Sequence, residues 1–473
     1  MKNKIFWRSA AIWLVFFLLL FAMCACKWVN KQFGRVNYDE VMLVLDMGMR
    51  GVDSGLFWSF MRKVVFRAFG WSVAILILCR ILKSKVRHIA SISCGILGIM
   101  LVWRICASKI QTGTLFSGWR PTDFYEKKYV FPETADISFP QKRNVLLIVL
   151  ESMEKSYADE KLFGNGGLTP HITGLERRNA SFSGYNAIPG LGSTIAAIAG
   201  MTTGLPLFYT GYRNTEKMKN ARGLGNVFLK HGYRTYSYFP ASGKFSLKEN
   251  FMRDKGFSEV VDGEAWKATL GYEPEVSPFD GVDDETLFRI TKPRIQEIVG
   301  NENPYFILME TVNTHCEGFF LKSCEKMGFR QKNMEDIAKC EDKIVADFVE
   351  WFIKTDPSAV VILIDDHNQH TGGIMKKLSP LKSRPLSNVF INTKIFDGAD
   401  MGRPVSAVDF FPTIIEAAGG IIKGCRLGLG ASLSARCAGI KTLREKYDGA
   451  ELRRLLESNN NLYYKLATGK DRK

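Results

Sequence analysis

Three long hydrophobic runs stand out in the first 107 residues of the chain. The first, residues 10–26, contains no charge and follows basic residues at positions 2, 4 and 8. Two further runs cover about residues 64–82 and 89–107. Because a membrane-spanning helix needs about 20 mostly apolar residues, the pattern predicts a membrane anchor of about three transmembrane helices over residues 1–107.

Two alternatives to this anchor stay open. The first run can also be a cleaved signal peptide, although it exceeds the usual apolar core of about 7–15 residues and AMCACKWVN is a poor cleavage site. The second and third runs have arginines near their ends, which can extend to the membrane interface. Alternatively, these two runs form a buried helical hairpin in a soluble domain.

The rest of the chain has the pattern of an α/β domain. Aliphatic runs without alternation, typical of buried parallel strands, occur at residues 144–151, 305–310 and 360–365, and residues 339–354 have helical spacing. Strands that alternate with helices predict a mostly parallel central sheet covered by helices. We assign a polar linker to residues 108–140, this domain to residues 141–440, and a charged, solvated C-terminal tail to residues 441–473.

Charge distribution argues against nucleic-acid binding. The chain has 64 Lys and Arg against 48 Asp and Glu, but residues 1–110 account for 16 of the basic and only 4 of the acidic residues. This excess flanks the hydrophobic runs instead of forming a basic face on a folded domain. Basic residues at the N-terminus and between the second and third runs favour a cytoplasmic location for both. That orientation places the α/β domain outside, although five basic residues in the predicted external loop oppose it: Lys27, Lys31, Arg35, Arg62 and Lys63.

Candidate chemistry lies at the predicted strand ends, where ligands bind in such sheets. Glu151, His315 and the Asp366–His367 pair follow the three strands, and Thr194 lies in a Gly/Ser/Thr turn. Two carboxylates and an imidazole can hold one divalent metal, and a threonine hydroxyl beside it becomes a nucleophile. Taken singly, each residue has a plainer interpretation, such as a helix N-cap for Thr194. The chain has no P-loop, dinucleotide-binding, H-E-x-x-H or G-x-S-x-G motif.

Several segments together resemble lipoteichoic-acid synthases and periplasmic phosphoglycerol transferases, in the sulfatase-like branch of the alkaline phosphatase superfamily. The resemblance covers about residues 140–435. It rests on the segments NVLLIVLES, GST before AGMTTGLPL, TH and DH, and on the blocks KENFMRDKGFS, GVDDETLF, NTHCEGFF, KCEDKIVADF and RLGLGASL. It implies an N-terminal transmembrane anchor followed by an alkaline-phosphatase/sulfatase-like catalytic domain.

The resemblance also implies roles for individual residues. Glu151, Thr194, Asp366 and His367 would bind a divalent metal, most often Mn²⁺ with Mg²⁺ or Zn²⁺ as alternatives. Thr194 would be the nucleophile, forming a phosphoglyceryl-threonine intermediate from a phosphatidylglycerol-type donor. His315 and Arg253 would bind the glycerol-phosphate group, and the acceptor would be an envelope glycan or polymer. The enzyme would lie in the inner membrane with its catalytic domain facing the periplasm.

Cysteine pattern gives a further expectation. The pairs Cys324/Cys340 and Cys425/Cys437 suggest disulfides in an oxidising compartment, and zinc binding is the alternative. The family blocks around Cys324 and Cys340 favour pairing of those two. In this family a small residue usually precedes the metal-binding Asp, whereas here it is Asp365.

Other functions remain as alternatives. The same site is compatible with phosphoethanolamine transfer or with phosphodiester hydrolysis. A sulfatase activity is disfavoured because the C-x-P-x-R motif is absent. A catalytically inactive membrane protein that binds glycans or lipids is the third possibility.

Overall fold

A computed structural model describes most of the chain. The described residues are 2–33, 36–37, 54–81, 121–208, 218–315, 318–370 and 372–470, with a few isolated positions between 98 and 111. Contacts divide the chain into two compact units, one within the first 116 residues and one that contains residues 117–473.

The N-terminal unit contains two long helical segments. Helix α1 is Lys2–Phe33, and the second segment consists of α2 (Ser54–Phe60), a π-helical stretch (Met61–Phe66) and α3 (Arg67–Ile81). The segments pack antiparallel, because Trp13 contacts Phe69 whereas Phe21 contacts Phe60.

Within the described residues, one helix is long and apolar enough to span a membrane: the part of α1 from Trp13 to Lys31. The second predicted span is interrupted by the π-helical stretch, which leaves α3 with 15 residues. The third predicted span, residues 89–107, lies largely outside the described residues. The described part of the chain therefore contains one candidate span where about three were predicted.

The larger unit is built on a six-stranded sheet. Its strands are β1 (Val145–Leu150), β2 (Arg234–Tyr238), β3 (Glu259–Val261), β4 (Tyr305–Glu310), β5 (Val360–Asp365) and β6 (Asn388–Ile391). They lie in the order β3-β2-β4-β1-β5-β6, and all pairs are parallel except β5 with β6. The predicted buried parallel strands at residues 144–151, 305–310 and 360–365 are therefore confirmed as the centre of the sheet.

Helices cover both faces of this sheet. The described helices of the larger unit are α4 (Phe124–Lys128), α5 (Glu160–Phe163), α6 (Pro170–Arg178), α7 (Thr194–Thr203), α8 (Leu224–Lys230), α9 (Lys248–Asp254), α10 (Gly263–Thr269), α11 (Asp284–Val299), α12 (Lys322–Lys326), α13 (Met334–Thr355), α14 (Met375–Leu378), α15 (Ala407–Ala417), α16 (Leu443–Lys446), α17 (Gly449–Leu456) and α18 (Asn461–Thr468). The predicted helix at residues 339–354 is part of α13.

Alternation along β1 explains the layering. Val145, Leu147 and Val149 belong to a core cluster with α7, α8 and α15, whereas Leu146, Ile148 and Leu150 belong to a second cluster with α11 and α13. Because neighbouring side chains of a strand point to opposite faces, an uninterrupted aliphatic strand needs cover on both sides. The result is a three-layer α/β domain.

The C-terminal residues differ from the predicted solvated tail. Residues 441–470 form three short helices, and Leu452, Leu456 and Leu466 are buried. The Tyr125 hydroxyl donates to the carbonyl of Leu456 across 2.8 Å, which attaches this segment to part of the predicted linker. The many charged residues of the segment suggested a solvated surface, but each helix also has a narrow apolar stripe. These stripes pack into the hydrophobic core of the larger unit.

Both cysteine pairs that the sequence suggested are disulfide-bonded in the described residues. Cys324 of α12 is bonded to Cys340 of α13, with Cα atoms 5.5 Å apart. Cys425 is bonded to Cys437, with Cα atoms 5.7 Å apart. Both separations lie within the range that a disulfide can bridge, and the predicted Cys324–Cys340 pairing is confirmed.

Candidate active site

The carboxyl ends of three adjacent strands bring the candidate residues together. β1 lies between β4 and β5, and Leu150 is in register with Asp365. Glu151 therefore leaves the sheet beside Asp366, and both carboxylates are buried. Glu151 and Asp366 are more than 200 positions apart in the sequence, and they lie at one edge of the sheet because parallel strands end on the same side.

Thr194 is directed into this edge. Its hydroxyl donates to Oε2 of Glu151 across 2.9 Å and lies 3.4 Å from Nε2 of His367. Ser193 is the N-cap residue of α7 and Thr194 is the first helical residue. Thr194 is therefore not the N-cap of this helix. Its hydroxyl belongs instead to a cluster with Glu151, Asp366 and His367.

The hydrogen bonds of His367 define which ring nitrogen faces the cluster. Nδ1 lies 3.0 Å from the carbonyl oxygen of Asn368, and a carbonyl can only accept, so Nδ1 carries the hydrogen in this contact. Nε2 faces Asp366 and Glu151, whose oxygens are 3.4 and 3.6 Å away. This orientation is the one that a metal-ligating histidine needs, since Nδ1–H is bound to a carbonyl and Nε2 faces the carboxylates.

Electrostatics at Asp366 indicate a site built for a cation. One oxygen, Oδ1, accepts from the backbone N–H groups of Ser152 and His367, while Oδ2 is buried without a hydrogen-bond donor. Burial, followed by the charge of Glu151, raises the pKa of Asp366 to about 7. Donor atoms of Glu151, Asp366 and His367 all lie within 4.8 Å of one another, which fits a single divalent metal.

Backbone and side-chain contacts hold Glu151 in this position. Its N–H donates to the Thr311 hydroxyl and its carbonyl accepts from Thr314. The Ser152 hydroxyl donates to Oε1 of Glu151 across 2.8 Å. Ser152 has a positive φ of 51°, an uncommon conformation for a non-glycine residue that tends to mark functional sites.

His315 lies next to the cluster. Burial lowers its pKa, while the neighbouring Glu151 acts in the opposite direction. Burial would raise the pKa of Glu151, but His315, His367 and the hydrogen bonds from Ser152 and Thr194 bring that pKa below its ordinary value. Four of the predicted site residues therefore lie together with Glu151: Thr194, His315, Asp366 and His367.

Arg253 has a different environment from the one predicted. Its guanidinium donates to Oε1 of Glu249 and to the carbonyl of Val260, on a half-exposed part of α9. Among the described residues, none of its hydrogen bonds or ion pairs reaches the cluster. We therefore leave Arg253 out of the proposed site.

Lys248, at the start of the same helix, is the basic residue that approaches the cluster. It is buried, forms an ion pair with Glu310, and its charge influences the pKa of His315. Residues five apart on a helix lie about 140° apart around its axis, so only one of Lys248 and Arg253 can face the sheet edge. Both belong to the block KENFMRDKGFS, and the sequence offered no means of choosing between them.

His370 is a second residue that sequence analysis missed. Its ring stacks on that of His367 with centroids 4.9 Å apart, and its Nε2 donates to the carbonyl of Gly192 across 3.2 Å. It thereby links the turn before Thr194 to the loop that carries His367. The available signal was a second histidine three residues after the first.

Asp365, where the sequence departs from the family pattern, accepts its hydrogen bonds from residues outside this cluster. Its Oδ1 accepts from the N–H of Met153 across 2.8 Å, and its backbone carbonyl accepts from the Tyr185 hydroxyl. Burial, followed by Asp366, raises its pKa well above the ordinary value. Asp365 thus supports the turn after β1.

Comparisons with known proteins agree with this geometry. A model of the sulfatase family matches residues 143–421, more than half of the chain. Phosphoglycerol transferase I of Escherichia coli (strain 536) is 26% identical over 239 residues, which cover 48% of this chain and 31% of that protein. The chain thus spans about a third of the length of the curated relatives it matches.

Two solved structures share the fold. A protein of the alkaline phosphatase superfamily from Vibrio parahaemolyticus has a TM-score of 0.50 and 19% identity, over 63% of this chain and 70% of that chain. The integral membrane protein lipooligosaccharide phosphoethanolamine transferase A from Neisseria meningitidis has a TM-score of 0.52 and 12% identity, over 86% and 84%. The chain belongs to the sulfatase family.

Proposed function

We propose that this protein is a membrane-anchored, metal-dependent phosphoglycerol transferase that moves glycerol phosphate from phosphatidylglycerol to an envelope glycan or polymer. The observation that carries the proposal is the position of the Thr194 hydroxyl, 2.9 Å from Glu151 and 3.4 Å from His367 at the first turn of α7. Relatives named phosphoglycerol transferase I favour this chemistry over sulfate-ester hydrolysis.

The residues present fit a divalent cation. Glu151, Asp366, His367 and Thr194 would hold it, and Mn²⁺ is our preferred ion, with Mg²⁺ and Zn²⁺ as alternatives. When bound, such an ion neutralises the two carboxylates, polarises a phosphoryl oxygen and makes a neighbouring hydroxyl more acidic. The donor-free oxygen of Asp366 supports this assignment.

Thr194 is the proposed nucleophile. Its oxygen attacks the phosphorus of the donor, and the bond from phosphorus to the diacylglycerol oxygen breaks. The hydrogen bond to Glu151 orients the hydroxyl and provides an acceptor for its proton, which passes to the departing diacylglycerol oxygen. A glycerol phosphate ester of Thr194 remains, and an acceptor hydroxyl then displaces the threonine.

His315 and Lys248 are the proposed phosphate-binding groups. An anionic transition state is stabilised by donors placed in advance in a site with little water. The His315 ring lies beside Glu151, and the Lys248 ammonium group reaches the same region from α9. We assign the phosphate contact to Lys248 in place of Arg253.

The proposed location is the inner membrane, with the larger unit outside the cytoplasm. A diacylglycerol-based donor stays in the bilayer, so an enzyme attached there by α1 meets its substrate by diffusion in two dimensions. The disulfides Cys324–Cys340 and Cys425–Cys437 support an oxidising compartment.

Headgroup-labelled lipids test the proposal. The full chain in detergent micelles is incubated with phosphatidylglycerol or phosphatidylethanolamine, each labelled in its headgroup, in the presence of Mn²⁺. We expect diacylglycerol release and protein-bound label with phosphatidylglycerol only. Label from phosphatidylethanolamine would instead identify a phosphoethanolamine transferase, and free headgroup without bound label would identify a phosphodiesterase.

A further inference from the structure

Three aromatic rings next to His315 belong to neither core cluster of the sheet. The ring of Phe279 stacks on Phe245 with centroids 4.9 Å apart and an interplanar angle of 23°. It also meets His315 edge-on at 4.8 Å and Phe319 at 6.1 Å. All three phenylalanines are partly exposed. We call Phe245, Phe279 and Phe319 the aromatic platform.

Backbone conformation fixes the platform in place. Phe279 has φ 47° and ψ 48°, and Asp280 has φ 62°. Bulky residues rarely adopt this left-handed conformation, which persists where the surroundings enforce it and is frequent at ligand sites. Close packing supplies the enforcement, because a Cβ atom on Gly281 would lie 1.8 Å from the carbonyl oxygen of Pro240. The Ser242 N–H also donates to the carbonyl of Phe279.

The rim of the platform is polar and charged. Lys244 is exposed and forms an ion pair of 2.6 Å with Glu264, and Asp280 is also exposed. A fatty acyl chain lying here would remove these charged groups from water without replacing their hydrogen bonds, which is costly. A ligand with many hydroxyl groups would satisfy them. The platform therefore suits a ligand with an apolar face and a polar edge.

We propose that the aromatic platform is the acceptor subsite and that it binds a carbohydrate ring. This inference rests on the proposed function. The C–H face of a pyranose would stack on the face of Phe245 that is turned away from Phe279, while its hydroxyls reach Asp280 and Lys244. A hydroxyl of the bound sugar then attacks the phosphorus held on Thr194. The new oxygen–phosphorus bond forms as the Thr194 oxygen–phosphorus bond breaks, and the acceptor proton returns to Thr194.

Kinetics of the two half-reactions provide the test. The full chain with Mn²⁺ and phosphatidylglycerol is assayed for diacylglycerol release and for transfer of glycerol phosphate to a mixture of cello-, malto- and laminaripentaose. The variants are Phe245→Ala, whose backbone is ordinary, and Phe279→Ala. The matched control is Phe131→Ala, a partly exposed phenylalanine outside the platform.

We expect Phe245→Ala, which removes the ring that stacks on the sugar, and Phe279→Ala, which removes the ring behind it, each to raise KM for the oligosaccharide about tenfold. In Phe245→Ala, KM for phosphatidylglycerol and the initial release of diacylglycerol should stay unchanged. Phe131→Ala should change neither. An unchanged KM for oligosaccharide in both platform variants overturns the inference. A raised KM for phosphatidylglycerol in Phe245→Ala also overturns it, because that ring would then contact the lipid.

Direct binding separates this inference from the proposed function. Saturation-transfer NMR with the same pentaoses, on the Thr194→Ala chain, should detect sugar protons close to protein in the unaltered platform and lose that signal in Phe279→Ala and Phe245→Ala. Binding without any diacylglycerol release by the unaltered chain would contradict the proposed function and retain the sugar site. Absence of binding to all three pentaoses contradicts the sugar site.

Discussion

At the scale of single residues, the two oxygens of Asp366 have very different surroundings. Oδ1 accepts from two backbone N–H groups, whereas Oδ2 faces Nε2 of His367 with no donor between them. Their separation of 3.4 Å suits a proton or a cation shared between the ring nitrogen and the carboxylate. Together with the convergence of Glu151, Asp366 and His367 within 4.8 Å, this contact supports placing a metal here.

Lys248 and Glu310 give a prediction at the same scale. Both are buried and paired, so Lys248→Met leaves an unpaired buried carboxylate and should reduce the free energy of unfolding by about 3–5 kcal/mol. The double variant Lys248→Met/Glu310→Gln should regain most of that stability, measured by denaturant unfolding. Diacylglycerol release should stay low in both variants, since the cation near His315 is missing. Full activity of the double variant would show that Lys248 has only a structural role.

At the scale of elements, a buried carboxyl pair connects α11, α13 and the loop after β4. Asp284 accepts from the N–H groups of Val312 and Asn313, and Glu341 accepts from the Asn313 side chain. Burial raises the pKa of Asp284 to about 7, and burial followed by Asp284 raises that of Glu341 well above its ordinary value. This network holds the loop that leads to His315.

Stability should therefore fall as the pH rises. In the unfolded chain both carboxyls titrate near pH 4, so the folded state holds more protons between about pH 4 and 7. The corresponding stability is present at low pH and is lost as the pH rises through about 7. Glu341→Gln, which removes one charge and keeps the Asn313 contact, should raise the free energy of unfolding at pH 8 by about 1–3 kcal/mol. Equal pH profiles for the variant and the unaltered chain, measured by urea unfolding, would refute this account.

The disulfide between α12 and α13 is another connection at this scale. Its cysteines are 16 positions apart, and closing a loop of this size in the unfolded chain is worth about 3 kcal/mol. Cys324→Ser/Cys340→Ser should lower the unfolding free energy by that amount under oxidising conditions. A reductant should then cause a smaller further loss than in the unaltered chain. Equal stability of the variant and the oxidised chain would contradict this assignment.

The central strands of the sheet could be predicted from the sequence, whereas the rotation of a short helix and the packing of the C-terminal residues could not. Fully buried strands such as Val360–Asp365 are aliphatic throughout, and parallel strands end on one side, so Glu151 and Asp366 were brought together correctly. The choice between Lys248 and Arg253 depends on how one short helix is rotated, which the local sequence does not determine. Residues 441–470 were misjudged because a narrow apolar stripe carries little weight among many charges.

At the scale of the whole molecule, metal binding should couple to stability. An ion that binds only the folded chain stabilises it in proportion to its concentration. Because the ion must displace a proton from Asp366, whose pKa is about 7, its apparent affinity should rise between pH 6 and 8. Chelation should lower the melting temperature and abolish activity, and Mn²⁺ should restore both.

Metal content of variants provides the control. Glu151→Gln should abolish the Mn²⁺-dependent rise in melting temperature and the bound metal measured by elemental analysis. Glu416→Gln should not, although Glu416 lies close to Cys425 and Cys437, because both of those sulfurs are committed to a disulfide. Loss of metal from Glu416→Gln with retention in Glu151→Gln would place the ion elsewhere.

The central claim is that Thr194 carries the transferred group, and mass spectrometry of the trapped protein tests it most directly. The chain is exposed briefly to phosphatidylglycerol without acceptor, quenched in acid and digested. We predict a phosphoglyceryl adduct on Thr194, absent from Thr194→Ala, which should fold normally because Ser193 occupies the N-cap position of α7. An adduct on Ser193 would contradict the assignment of the nucleophile. Full transfer activity of Thr194→Ala without any adduct would contradict covalent catalysis by this protein.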